Sequence, residues 1–298
     1  MSAPPQEART SRPVVRSRPR NLSAARRGLD TVRQHGAVPL GTSIVATILL
    51  VAFFVEMPFD PLSPNAGQSL QPPNGTNWFG TDGSGFDVFS RTIAAAQRDV
   101  PLALVGVIVS MLVGVPLGLI AGRKSVVGEW LMRGLELFQA FPLIILAVVI
   151  VQVTGNRVEN VVLALAIVNV PRFMRLVRAE VLSIRESRFV EAATAMGCSP
   201  SRITFRHILP NIPGIILVQS SLAAANGIIV VASLTFIGLG ANPPQPSWGA
   251  MIQEGSRFIP QGAWWIPIFP GLAILLVVFA FNMIADGLER AFGIGGSK

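Results

Sequence analysis

The chain has 298 residues, of which 51% are hydrophobic and 13% charged, with a mean hydropathy of +0.55; soluble domains carry about a quarter charged residues, so a membrane protein is the first reading. Its 24 Lys+Arg against 16 Asp+Glu give +8, an excess that needs no nucleic acid to explain it in a membrane chain. A single cysteine, Cys198, and two separated histidines, His35 and His207, exclude a disulfide framework, a thiolate metal site and a histidine cluster, so no catalytic, cofactor or metal-ligand set is expected.

Residues 1–37 hold eight arginines among Pro4, Pro5, Pro13 and Pro19, a composition that buries too little surface to fold. They read as a disordered tail serving as a topology signal, with contact to anionic membrane lipid as the other reading. Arg26-Arg27 faintly resembles a twin-arginine signal, but Glu56 and Pro58 follow the first apolar run where small residues would mark cleavage. That run, Ala37 to Val55, is therefore a retained span.

A span needs about 20 apolar residues in helical form, because lipid offers backbone groups no partner. Val100 to Gly122 and Leu137 to Asn156 also lack charge and read as the second and third spans. The loop from Glu56 to Asp99 carries five acidic residues against Arg91 and Arg98; it reads equally as a solvated loop and as a receiving surface for another protein. The second span places Gly106, Ser110, Gly114, Gly118 and Gly122 four apart, a small-residue stripe that lets helices approach closely. Packing within the bundle and a sliding interface between two subunits both fit, and both make Gly114→Leu damaging. Gly118 to Ser125 distantly resembles a phosphate loop but has Arg123 where the second glycine belongs, so nucleotide binding is not expected.

Asn160 to Pro171, continued by residues whose arginines can snorkel, reads as the fourth span. The segment from Arg172 to His207 follows, with Phe189, Ala193 and Met196 spaced to form one apolar helix face. Gly197 is placed to end that helix, and Ser199-Pro200 to cap and open another. On local physics it is an interfacial loop or a docking element for a partner protein. From Ile208 to Gln253 there are 46 uncharged residues, read as a fifth span from Asn211 to Ile237 and a bent loop rich in Gly and Pro. Gln219, Asn226 and Ser233, seven apart, mark a translocation path or interhelical hydrogen bonds; Gln139, Gln152 and Asn169 are weaker candidates. The sixth span runs from Ile266 to Ala285, behind an interfacial Trp264-Trp265 pair. Glu136 and Asp286 lie at span ends, which argues against a proton relay.

Six crossings put both termini on one side. Segments 1–37, 123–136, 172–207 and 286–298 hold eight, three, seven and two basic residues, leaving four for the opposite loops. By the positive-inside bias both termini are cytoplasmic.

Glu191-Ala192-Ala193, then Gly197, then Leu209-Pro210 resembles the EAA loop of permease subunits of binding-protein-dependent ABC importers. Phe79 to Asp87, Ser233 to Ile252 and Phe281 to Leu288 narrow the resemblance to the C-type permease of the dipeptide/oligopeptide/nickel transporter family, over roughly residues 75 to 290. Phe86 stands where that family usually has Arg, Ala285 where it has Gly, and His207 where the EAA pattern prefers Ile. The resemblance implies an all-α integral membrane protein with six transmembrane helices and a cytoplasmic EAA coupling loop, a permease domain over 38–290 and a short tail over 291–298. It implies coupling to an ATPase through Glu191, Ala192, Ala193, Met196, Gly197, Leu209 and Pro210. Its partners would be a second permease, two cytoplasmic ATPases and an extracytoplasmic binding protein, with peptides as cargo, in a bacterial plasma (inner) membrane. It also implies a gate-like or scoop-like element over Gly238 to Gly249. The rival is a self-contained secondary transporter or channel for small polar solutes.

Overall fold

In the computed structural model, residues 36–65, 68–123, 125–240 and 243–294 are described, and the arginine-rich tail over 1–35 lies outside them. The described residues form helices joined by loops: α1 (Ala37–Phe54), α2 (Val88–Ala121), α3 (Val126–Gln139), α4 (Leu143–Thr154), α5 (Val158–Arg185), α6 (Arg188–Ala195), α7 (Pro200–Ile203), α8 (Pro213–Phe236), α9 (Trp248–Ser256) and α10 (Trp265–Phe292). Five of them, α1, α2, α5, α8 and α10, are long and apolar enough to cross a membrane.

Two expectations change here. The third span is two helices, α3 and α4, separated at Ala140-Phe141-Pro142, because a proline removes an amide donor and disfavours helix in the residue before it. The 12 residues of α4 rise only about 18 Å. The second span begins 12 residues earlier than its apolar run, at Val88, where Asp87 caps α2 by accepting the Ser90 amide at 2.7 Å. Charge does not stop a helix; it marks only where the helix leaves the apolar layer.

Small residues set the register of the bundle. A Cβ added at Gly106, Gly114, Gly118 or Gly122 would stand within 2.4–2.7 Å of Leu165, Phe173, Val177 or Val181 respectively, pairs all separated by 59 positions. Ser110 adds a hydrogen bond across the same seam, from its hydroxyl to the Ala166 carbonyl at 3.2 Å. The stripe therefore faces α5 of the same chain, and α2 and α5 run parallel. Gly41 against Ala280 and Ile284, with Gly287 against Val38, makes α1 antiparallel to α10, and Gly214 against Phe292 does the same for α8. The start of α1 thus lies beside the end of α10, at what is here called the near end. The loop between α5 and α8 is at that end; α9 and the loop over 55–87 are at the far end. Parallel α2 and α5 oblige the chain between them to return along the bundle: Gly122 stands level with Val181 and Val158 with Asp99, about 35 Å apart at helical rise.

Candidate functional site

At the near end, α5 stops at Arg185 and α6 follows after a two-residue turn. Glu191 lies exposed in the first turn of α6, where a negative charge suits the helix dipole. Val190 and Ala193 are buried, and Val190 packs in a cluster with Val177, Val181, Ile203, Ile208 and Ile212. The face expected from Phe189, Ala193 and Met196 is thereby split: Ala193 turns inward with Val190, while Phe189 and Met196, the latter 78% exposed, point out. The helix chose the β-branched valine for the inner cluster, and the larger side chains are left outside together with exposed Phe205. Ala192 is exposed beside Glu191.

Gly197 ends α6 with φ +79°. Its amide bonds the Thr194 carbonyl at 2.9 Å, and the Cys198 amide bonds the Ala193 carbonyl at 3.1 Å, the paired bonds of a Schellman stop. A Cβ at Gly197 would meet nothing within 4 Å, so the glycine answers a backbone need rather than a lack of room. Ser199 caps α7 by accepting the Arg202 amide at 3.3 Å, as the Ser-Pro pair predicts. A wide turn over Thr204–Ile208 and a tight one over Leu209–Asn211 then lead to Pro213 and α8. Leu209 is half-buried and packs on the inner cluster, and Pro210 is exposed. Arg185 donates to the Thr204 hydroxyl at 3.5 Å, tying the end of α5 to this segment. An open cleft of about 500 Å3 lies between, lined by Arg185, Glu186, Glu191, Thr194 and Ala195.

On α8, Asn226 is exposed, and Gln219 and Ser233 are partly so. Asn226 donates to the Leu222 carbonyl and Ser233 to that of Ile229, so these polar groups are satisfied along their own helix. They share a face with exposed Ile229 and Phe236. Of the weaker candidates, Asn169 is 1% exposed and bonds the Leu165 carbonyl, Gln139 accepts from Arg175, and Gln152 is exposed.

The far end holds contacts that the sequence did not point to. Trp248, at the start of α9, is buried and donates from Nε1 to the Thr92 carbonyl at 2.8 Å, while its backbone amide donates to Asp99 at 2.8 Å. Asn156 donates to the Gly238 carbonyl and accepts the Gly240 amide. The tryptophan pair divides: Trp264 is exposed, but Trp265 is buried and donates to the Thr81 carbonyl at 3.0 Å. Arg91 lies 4.0 Å over the Phe86 ring and attracts both Asp82 and Glu254. The only signal for these contacts was a pair of charges, Arg98-Asp99, at the lip of an uncharged run.

Two carboxylates here share one cation. Burial holds Asp82 above the ordinary carboxylate range, against amide hydrogen bonds and Arg91. Burial likewise raises Glu254, with Asp82 adding repulsion. Both groups therefore take up protons at higher pH in the folded chain than in the unfolded one, and folding gains as pH falls toward the ordinary value of about 4. The loop over 68–87 is expected to resist limited proteolysis better just above that value than at neutral pH. Exposed Asp60 is held low by Ser63, and its contribution is lost only below the ordinary range. Faster cleavage on mild acidification would contradict this assignment.

The profile of the binding-protein-dependent transport system inner membrane component family matches residues 114–293. The dipeptide transport system permease protein DppC of Alkalihalophilus pseudofirmus is 39% identical over 276 residues, 91% of this chain and 90% of that one. The glutathione transport system permease proteins GsiD of Pectobacterium atrosepticum and Salmonella paratyphi A are 39% and 40% identical, over 87% of this chain and 87% and 86% of theirs.

Proposed function

We propose a function from one premise: the chain belongs to the family of binding-protein-dependent transport system inner membrane components. On that premise it is a multi-pass permease subunit of an ATP-driven importer, with di- or oligopeptides as its cargo. It works beside a second permease, two cytoplasmic ATPases and an extracytoplasmic binding protein. The peptide class rests on relatives named for dipeptide and for glutathione, itself a tripeptide.

The observation that carries the coupling role is the near-end loop. A short helix is clamped on its inner side by Val190 and Ala193 and presents Phe189, Met196, Glu191 and Ala192 outward. It sits at the end of the bundle that gathers most of the arginines, which the positive-inside bias makes the cytoplasm. We read this as the seat of an ATPase, with Leu209 and Pro210 fixing the exit to α8. The chain supplies no hydrolysis of its own on this reading: Gly118 and Gly122 are used against α5, and the Ser125 hydroxyl caps α3. We count α4, with the end of α3, as the sixth crossing, because the parallel α2 and α5 require a return path between them. The α8 face bearing Gln219, Asn226 and Ser233 is assigned to the translocation path.

The test is uptake of a labelled dipeptide by the complex of this chain with its genomic neighbours in proteoliposomes. Uptake should need both ATP and the binding protein. Dipeptide uptake by the isolated chain on a proton gradient would overturn the reading. Gly197 supplies a finer prediction. Alanine there carries a left-handed backbone penalty of about 1 kcal/mol, and asparagine, which tolerates that region, should retain near-parental uptake. Valine should lower uptake several-fold at an unchanged ATPase rate, measured on the same vesicles.

A further inference from the structure

Asp99 and Arg98 occupy one turn of α2 and hold two separate points of the far-end segment. Asp99 is 1% exposed, and its Oδ2 accepts the backbone N–H of Trp248, the first residue of α9. The opening amides of a helix have no partner within it and carry positive charge, so a carboxylate from another helix serves as a cap beside that of Ser247. One position earlier, Arg98 donates from Nη2 to the Gly240 carbonyl. The same Gly240 is held through its amide by Asn156. A Cβ on Gly240 would come within 2.5 Å of Val161 in α5, so the seat has no slack.

Each clamp residue also carries an unmet atom. Asp99 Oδ1 and Arg98 Nη1 are buried without a hydrogen-bond partner among the described residues. Both clamp residues are charged, and each holds a backbone group of the far-end segment through one hydrogen bond.

We propose that Arg98 and Asp99 are positioning residues that carry the motion of the α2–α5 pair to the far-end segment around Gly240 and Trp248. The chain of contact is continuous: α6 follows closely on α5, α5 is locked to α2 along the glycine stripe, and α2 carries the clamp in its far-end half. Interlocked helices move as a body, and side chains at their end transmit that movement to whatever they hold. This rests on the reading of α6 as the element pushed by an ATPase.

The experiment uses the assembled transporter in proteoliposomes, with Cys198→Ser removing the sole cysteine of this chain and Met251→Cys as reporter. Met251 is 5% exposed, so an impermeant maleimide reads opening of the segment. Labelling in the parent should differ about tenfold or more between nucleotide-free and vanadate-trapped states, in keeping with the loss of a buried charged hydrogen bond. Asp99→Ala should label fast in both states, while Asp99→Asn, which keeps an acceptor, should retain the parental response. A full nucleotide response in Asp99→Ala, or an Asn variant as insensitive as Ala, overturns the proposal. Should Asp99→Ala not assemble, Arg98→Gln with Leu239→Cys, at a site 4% exposed, decides in the same way. Dipeptide uptake by the parent judges the functional reading separately. Uptake with labelling indifferent to nucleotide sinks this inference alone.

Discussion

Leucine at Gly118 is expected to destroy the transporter, lowering both the yield of folded protein and its unfolding temperature, whereas leucine at Gly134 should leave both nearly unchanged. A Cβ at Gly118 would stand 2.7 Å from that of Val177 and 2.8 Å from the carbonyl oxygen of Met174. The second neighbour is backbone and cannot rotate away, so α2 and α5 must separate along their whole seam. Overpacking of this type costs about 1–3 kcal/mol where side chains can yield and more where they cannot. In lipid, helix association rests on such close contact rather than on removal of apolar surface from water. At Gly134 nothing lies within 4 Å. Thermal unfolding followed by size-exclusion chromatography in detergent measures the difference. Equal midpoints for the two variants would show that the seam is not closely packed.

That seam was legible in the sequence because spacing by four is a local property of one helix. Two of the spans were legible for the same reason: α1 and α8 differ from their apolar runs by no more than two residues at either end. Gly197 and Ser199-Pro200 were legible as stop and start signals because a helix end must satisfy its own backbone groups within a few residues. What failed was anything decided by a distant partner. Spacing alone put Ala193 on a face with Phe189 and Met196, but Val177, Val181 and Ile203 draw Val190 inward, and Ala193 is buried with it. Trp265 read as a membrane-interface residue until Thr81, 184 positions away, supplied its acceptor. The bond between Asp99 and Trp248 spans 149 positions, and periodicity holds no record of such a pairing. Phe86 shows the same limit: the sequence shows a missing charge, while the fold shows a ring beneath Arg91.

Trp248→Ala is expected to rank with the glycine-stripe variants in its cost, and comparison with Trp248→Phe separates what the residue contributes. Among the described residues, Trp248 is the largest of the fully buried side chains. It fills the space between α2 and α9, and its indole nitrogen reaches the Thr92 carbonyl. The neighbouring Gly249 leaves α9 no freedom to slide into a vacancy, since a Cβ there would meet the Ala232 carbonyl oxygen at 2.0 Å. A site that cannot collapse retains the full cavity, which places Trp248→Ala at the upper part of the range of about 3–5 kcal/mol for aromatic truncation. Phenylalanine keeps most of the volume and gives up one hydrogen bond, worth about 0.5–1.5 kcal/mol. The alanine variant should therefore unfold at a clearly lower temperature than the phenylalanine variant, in the same detergent and with lipid re-added. Equal losses for the two would assign the energy to the hydrogen bond with Thr92. Uptake should follow stability in the alanine variant, because without the indole the start of α9 is held on α2 only by its backbone bond to Asp99.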